Sequence, residues 1–316
     1  LLGGDCIYMM LKERQLGALW GFLIGDAVGV PYEFTSADLL PPMDQLEMTP
    51  PTGFVRSYPN IPSGTWSDDG AHVLCLLDSL IERSHLDLDH LATTLLQWYQ
   101  QGKWAVDQNV FDIGIQTATS LRAFDRGVAA DQAGFVRPDG KGNGSLMRVL
   151  SLALWHQGSD QSLIEDAHRQ SLPTHGHILN QVCCALYALW VRAVLAEGEI
   201  EASYHQAVAK LRQYYTHKSE YLKQLEYNVR PDEEPVSDGG GYVVTTLQSV
   251  RIAVRQPDFR SVVQKAISLG EDTDTNAAIA GGLFGAKVGM NGLPKGWLEQ
   301  MRGKELVGGL VKKWLG

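Results

Sequence analysis

Apolar positions along this chain recur at helical spacing almost throughout, and the alternation that marks a half-buried strand is scarce. The first helical pattern covers residues 12–28, with Gly17, Gly21, Gly25 and Gly29 four positions apart. That spacing keeps them on one helix face. Each Gly costs about 1 kcal/mol relative to Ala inside a helix, so four in register need a packing reason. A missing side chain lets another backbone come close. Near the other end, Gly281, Gly285 and Gly289 repeat the device in an Ala-rich helical run that gathers from Ala277 onward. Both glycine faces are expected in the middle of a bundle, packed against each other or simply fitted to a crowded core.

Between these two patterns, helices are predicted at 69–84, 86–101, 114–126, 162–171, 175–195, 201–227, 242–254 and 260–269. The Gly-rich turn RPDGKGNGS, residues 137–145, is expected to open a further helix through 154, and short helices to close the chain at Trp297 and near Val311. Residues 36–63, with Pro41, Pro42, Pro50, Pro51, Pro59 and Pro62, read as a long loop, and 230–241 as a polar one. Loops this long inside a compact fold are often functional. No repeat period is visible. The expectation is an all-α fold.

Two helix starts carry unusual charge. GEDTDT, residues 270–275, brings Glu271, Asp272, Asp274 and Thr275 to the head of the Ala-rich helix, and GTWSDDG puts Ser67, Asp68 and Asp69 at the head of another. Asp, Ser and Thr are favoured at such positions as caps of free backbone N–H groups. If the two starts meet, however, four Asp carboxylates converge, and like charges that close raise each other's pKa unless a cation separates them. Hard oxygen ligands of this kind suit Mg²⁺, Mn²⁺ or Ca²⁺ rather than Zn²⁺. Pairing of the glycine faces would also bring Glu33, in GDAVGVPYEF, toward the acidic starts. The motifs lie about 200 residues apart, which argues for one interdependent domain over 1–316.

The remaining signals are weaker. Gly140 to Ser145 places backbone N–H groups at a helix entry, an anion site in principle, without a Walker or dinucleotide pattern. His175 and His177 precede an apolar helix with Thr174 a plausible cap, and no third His or Cys ligand stands nearby to make a zinc site. The net charge of −9 argues against nucleic acid as a main partner. Cys6, Cys75, Cys183 and Cys184 show no CxxC spacing, which points to a reducing compartment, the cytoplasm. The early apolar run 16–24 is interrupted by Asp26 and is short of a bilayer span, about 20 residues, and no basic signal-peptide flank precedes it. No membrane span is expected.

Taken together, GALWGFLIGDAVGVPYEF, GTWSDDG, FDIG (111–114), GNGSLMRV, PTHGH, GGYVVTTL and GEDTDTNAAIAGGLFGA occur in the order seen in ADP-ribosylglycohydrolases. The chain resembles that family over about residues 17–301, especially the bacterial branch containing the dinitrogenase reductase-activating glycohydrolase. The resemblance implies an orthogonal helical bundle with two Mg²⁺ (or Mn²⁺) ions in a central cleft. Ser67, Asp68 and Asp69 match one ligand group, and Asp272, Asp274 and Thr275 the other. Glu33 matches an acidic residue beside the metals and Asp112 a position lining the cleft. Gly142, Asn143, Gly144 and Ser145 match a turn that cradles the diphosphate, His175 a contact on the ribose side, and Tyr242 a platform for adenine. The implied reaction releases ADP-ribose from an ADP-ribosylated protein, with arginine the favoured acceptor. Glu33, Asp69 and Asp274 are the candidate catalytic carboxylates. Serine or small acceptors, and a non-catalytic ADP-ribose-binding or crystallin-like protein, are the alternatives. One departure is Gly70, where the family usually has Thr; loss of that hydroxyl is expected to loosen the surroundings of Asp68 and Asp69.

Overall fold

The computed structural model describes residues 4–316, with side chains from Tyr8 onward; Cys6 lies outside the described side chains. Helices account for the fold, and no strand occurs among the described residues. They run α1 (Gly4–Gly29), α2 (Asp68–Arg83), α3 (Leu88–Gln101), α4 (Ile115–Asp125), α5 (Leu150–Trp155), α6 (Asp160–Ser171) and α7 (Ile178–Glu197). There follow α8 (Ile200–Tyr214), α9 (Ser219–Lys223), α10 (Val243–Ala253), α11 (Phe259–Ile267), α12 (Thr273–Val288), α13 (Lys295–Gln300) and α14 (Lys304–Leu315).

The centre of the bundle is the pair α1 and α12, and the glycine faces do meet. A Cβ added at Gly21 would lie 2.5 Å from the carbonyl oxygen of Gly281, and one at Gly17 would run into Gly285 and Gly289. Gly25 abuts the backbone of Ala277 and Gly29 that of Asp274. Backbone therefore touches backbone for the length of the seam, closer than any residue with a side chain permits. Thr273 closes its upper end by donating from Oγ1 to the Gly29 carbonyl at 2.9 Å. On either side of the seam, Leu19, Phe22, Leu23, Ile279 and Leu283 are fully buried.

α7 is apolar and long enough to cross a bilayer by composition alone, yet 89% of its most apolar window is buried by the other helices. Its hydrophobicity serves the core. Cys75, Cys183 and Cys184 are buried free thiols.

Three expected elements differ. The helix expected over 201–227 stops at Tyr214 and resumes as α9, ending in a π-helical turn, Gln224–Val229. Tyr215 is drawn into the core, where its hydroxyl meets His168 Nε2 at 2.7 Å, and Lys218 N closes a turn on Tyr215 O at 2.8 Å. The helix expected to open at Ser145 begins only at Leu150, because Asn143 O accepts from both Leu146 N and Met147 N and holds the chain in turns. α7 begins at Ile178, capped by the His177 side chain at 3.1 Å from Leu179 N. Thr174 is not its cap.

Candidate functional site

The two acidic helix starts come together where α1 ends. Thr275 Oγ1 donates to Asp69 Oδ2 at 3.0 Å, joining residues 206 positions apart. Neither start is closed by an Asp side chain at its cap position, although Asp274 Oδ1 accepts from Thr275 N at 2.9 Å. Ser67 caps α2, and Asp26, reaching across from α1, accepts from Ser67 N at 2.9 Å and Gly70 N at 2.7 Å. The head of α2 is thus satisfied from outside, which leaves the Asp68 carboxylate to face the cleft. At the other start, Asp272 makes no cap bond and instead accepts from Asn143 Nδ2 at 2.7 Å.

What remains is an accumulation of buried carboxylate oxygen. Asp69 Oδ1, Asp274 Oδ2 and Glu33 Oε2 are buried without a hydrogen-bond partner among the described residues. One oxygen each from Glu33, Asp272 and Asp274 lie within 4.8 Å of one another. Unpaired buried carboxylates are costly unless they are protonated or hold a cation. Burial, reinforced by Asp112, raises the Glu33 carboxyl to about 11. Burial and mutual repulsion likewise push Asp68, Asp69 and Asp274 well above the usual carboxylate range. Asp272 and Asp112 rise too, mainly through burial, and Asp26 reaches about 7 for the same reason. An all-oxygen donor set with orphaned, proton-hungry atoms fits a hard divalent cation.

The carboxylates open onto a cleft of about 480 Å³. Glu33, Asp68, Asp112, Glu271, Asp272 and Thr275 line it, with Gly142, Asn143, Gly144 and His175 also contributing. No Lys or Arg does. Asp112, in a left-handed conformation at φ 53°, is held by Tyr58, whose hydroxyl donates to it at 2.8 Å. The Gly-rich turn is pinned on both sides: Asn143 N donates to Gly241 O at 3.1 Å, and Asn180 Nδ2 to Gly142 O at 2.6 Å. Its Gly144 packs on the His175 ring, where a Cβ would come within 2.7 Å of Cε1.

His175 is neutral, since burial and the nearby Arg148 lower it to about 3. Thr174 Oγ1 accepts from Arg148 at 2.8 Å and meets His175 Nδ1 at 2.8 Å. With Arg148 already donating to it, the Thr174 hydroxyl can give its own proton to Nδ1, an arrangement that leaves the imidazole proton on Nε2. Arg148 is itself fully buried and, among the described residues, has no carboxylate partner. It donates to Gly144 O at 3.1 Å and to Gln170 O at 2.6 Å, tying the turn to α6.

Most of the candidates named from the sequence therefore gather here, with two exceptions. Ser145 points away from the cleft, its hydroxyl taken by Ser171 at 2.7 Å. Tyr242 pairs with Gly142 through the backbone, and its ring, 41% exposed, lines an adjoining cavity of about 330 Å³ with Tyr227 and Arg230. The space a side chain at position 70 would need is filled by the Trp66 indole, 2.5 Å from an added Cβ. The missing Thr is thus replaced by an aromatic wall rather than by a void. Asp26 and Arg148 were not among the candidates.

Comparison with known proteins bears on this arrangement. The family model for ADP-ribosylglycohydrolase matches residues 9–315. The chain is 31% identical over 92% of its length, and 74% of the relative's, to an ADP-ribosylarginine hydrolase, Tri1, of Pseudomonas putida. It is 26% identical to the ADP-ribosyl-[dinitrogen reductase] glycohydrolase of Rhodospirillum rubrum, covering 92% of this chain and 91% of that one. A solved structure, an ADP-ribosylglycohydrolase-related protein complex, superposes with a TM-score of 0.75 at 27% identity, covering 97% of this chain and 98% of that one.

Proposed function

The chain belongs to the ADP-ribosylglycohydrolase family, and from that premise we propose that it is a Mg²⁺- or Mn²⁺-dependent hydrolase releasing ADP-ribose from ADP-ribosylated arginine on a protein. The observation that carries this reading is the meeting of Asp69 and Thr275, which gathers buried carboxylates with unpartnered oxygens at the floor of a cleft. The names of the relatives favour arginine as acceptor. The acidic cleft lining, without Lys or Arg, suits a cationic one.

In this reading Ser67, Asp68, Asp69, Asp272, Asp274 and Thr275 hold two divalent ions. Bound there, such ions would supply charge neutralisation and a Lewis-acid site for the distal ribose and a water molecule. The chain does the rest. With Asn143 N tied to the Gly241 carbonyl, the backbone N–H groups of Gly142 and Gly144 receive the diphosphate, and His175 offers its Nε2–H toward the ribose side. Tyr242 stands beyond the turn as a platform for adenine. Glu33, whose carboxyl the positive charge of bound ions would return to its ionised form, takes a proton from the attacking water as the new C–O bond forms at the anomeric carbon. The C–N bond to the guanidine breaks, and the proton held by Glu33 returns through solvent to the departing nitrogen, giving ADP-ribose and a free arginine side chain. Asp69 and Asp274, anchored by Thr275, keep negative charge beneath a sugar that gains positive character.

The test is release of ADP-ribose from proteins modified at arginine and, separately, at serine, with Mg²⁺ and with EDTA. Mg²⁺-dependent release from arginine is expected. Cleavage of the serine linkage alone would overturn the acceptor assignment, and equal rates in EDTA would overturn the metal requirement.

A further inference from the structure

Phe34 follows Glu33 directly and breaks two rules at once. It is a large apolar side chain left 67% exposed, and its backbone sits in the left-handed region at φ 57°. A bulky residue there is an outlier that persists only where surrounding structure enforces it, and such outliers cluster at functional sites. Here the enforcement is explicit. Phe34 N donates to Glu271 O at 2.7 Å, and Glu271 N donates to Thr35 O at 2.9 Å. Glu271 is left-handed as well, at φ 57°. This clasp holds an aromatic ring and an exposed carboxylate together on the cleft lining. The ring continues an aromatic row: Phe34 meets Tyr58 edge-on at 6.3 Å between centroids, and Tyr58 meets Phe111 at 5.0 Å.

A ring face beside a carboxylate is the chemistry that receives a planar cation. We propose that Phe34 and Glu271 form the acceptor subsite, with the guanidinium of the substrate arginine lying on the Phe34 ring and paired with Glu271. The inference rests on the arginine reading above and deepens it. Phe34 neighbours the proposed base, so a group leaving the anomeric carbon away from the Gly-rich turn reaches this lip first. A serine hydroxyl has neither the flat face nor the charge to use it.

The probes are ADP-ribosyl-arginine and ADP-ribose, with the variants Phe34→Leu, Phe34→Tyr and Glu271→Gln. Leu shares the backbone strain of Phe and its apolar bulk but has no π face, whereas Gly would relieve the strain and confuse the result. Affinities for both probes are measured calorimetrically in EDTA, and KM and kcat in Mg²⁺. Phe34→Leu is expected to raise KM for ADP-ribosyl-arginine by roughly 3- to 30-fold, with ADP-ribose affinity unchanged and Phe34→Tyr close to wild type. Glu271→Gln is expected to move KM the same way. Unaltered KM in both Phe34→Leu and Glu271→Gln, in a wild-type background that turns over, overturns the subsite. If the wild type releases nothing, the activity reading fails on its own. The calorimetric preference for ADP-ribosyl-arginine over ADP-ribose then decides the subsite: its loss in Phe34→Leu supports it, and its absence or persistence overturns it.

Discussion

Gly21→Ala tests the seam on which the site is built. In an exposed helix this change stabilises by about 1 kcal/mol. At Gly21 the new Cβ would stand 2.5 Å from the Gly281 carbonyl oxygen and 3.0 Å from the Phe259 ring. Ordinary contact begins at 3.4 Å, so α1 and α12 must part by several tenths of an ångström up to nearly one. The obstacle is helix backbone, which cannot rotate aside. Overpacking of this kind costs about 1–3 kcal/mol, and parting at Gly21 also loosens the contacts at Gly17 and Gly25. A net loss of about 2 kcal/mol is expected, lowering Tm by about 3 °C in a chain of this size. Gly308→Ala in α14 is the control, since nothing lies within 4 Å of its added Cβ; it is expected to be neutral or slightly stabilising. The seam also sets the site, because Gly29 abuts Asp274, so Gly21→Ala is expected to weaken Mg²⁺ binding as well. Urea titration and calorimetric Mg²⁺ titration read the two effects. A Gly21→Ala protein as stable as the Gly308→Ala control would refute the packing argument.

Three further outcomes are expected. Asp274→Asn is expected to abolish turnover and weaken Mg²⁺ binding while the fold survives, because the change removes an anionic oxygen from a cation with strict geometry; unchanged Mg²⁺ affinity by calorimetry would remove Asp274 from the ligands. Arg148→Leu leaves Gly144 O, Gln170 and Thr174 without their donor, and a loss of about 3–5 kcal/mol is expected in denaturant titration, with weaker ADP-ribose binding; a loss below about 1 kcal/mol would contradict it. The pH dependence follows from raised carboxylates: burial lifts Asp26 to about 7 and Glu33 to about 11. The folded protein in EDTA therefore holds more protons than the unfolded chain above about pH 4, and stability falls as pH rises through 7 and beyond. Mg²⁺ competes with those protons, so the rise in Tm on adding Mg²⁺ is expected to grow between about pH 6 and pH 8; a constant or shrinking rise would refute the sign.

The helical plan and the central pairing were legible because both rest on local periodicity, with glycine spacing as the signal for close backbone approach. The acidic starts were legible as motifs, although only the fold could bring Asp69 to Thr275. Asp26 was not, since a lone Asp in an apolar run reads as an interruption; its role depends on backbone N–H groups 41 and 44 positions away. Arg148 reads as a surface cation beside a turn until its carbonyl partners are seen. Tyr215 ends a helix that local propensity would continue, because its ring is drawn into the core. The left-handed backbone of Phe34 and Glu271 has no sequence signal, since neither residue type favours it.

The seam has a consequence for the order in which the molecule comes into being. Gly29 and Thr273, bonded to each other, are 244 positions apart. At typical synthesis rates of about 5–20 residues per second, roughly 12 to 50 s separate the emergence of the two from the ribosome. Throughout that interval Leu19, Phe22 and Leu23 of α1 lack the partner helix that buries them, and contacts of such long range are slow to form. The carboxylate centre is consequently among the last things the chain can assemble. A nascent chain halted before α12 carries both Ser67 and Asp69 yet no site, and the glycine face of its first helix still lacks the backbone it packs against.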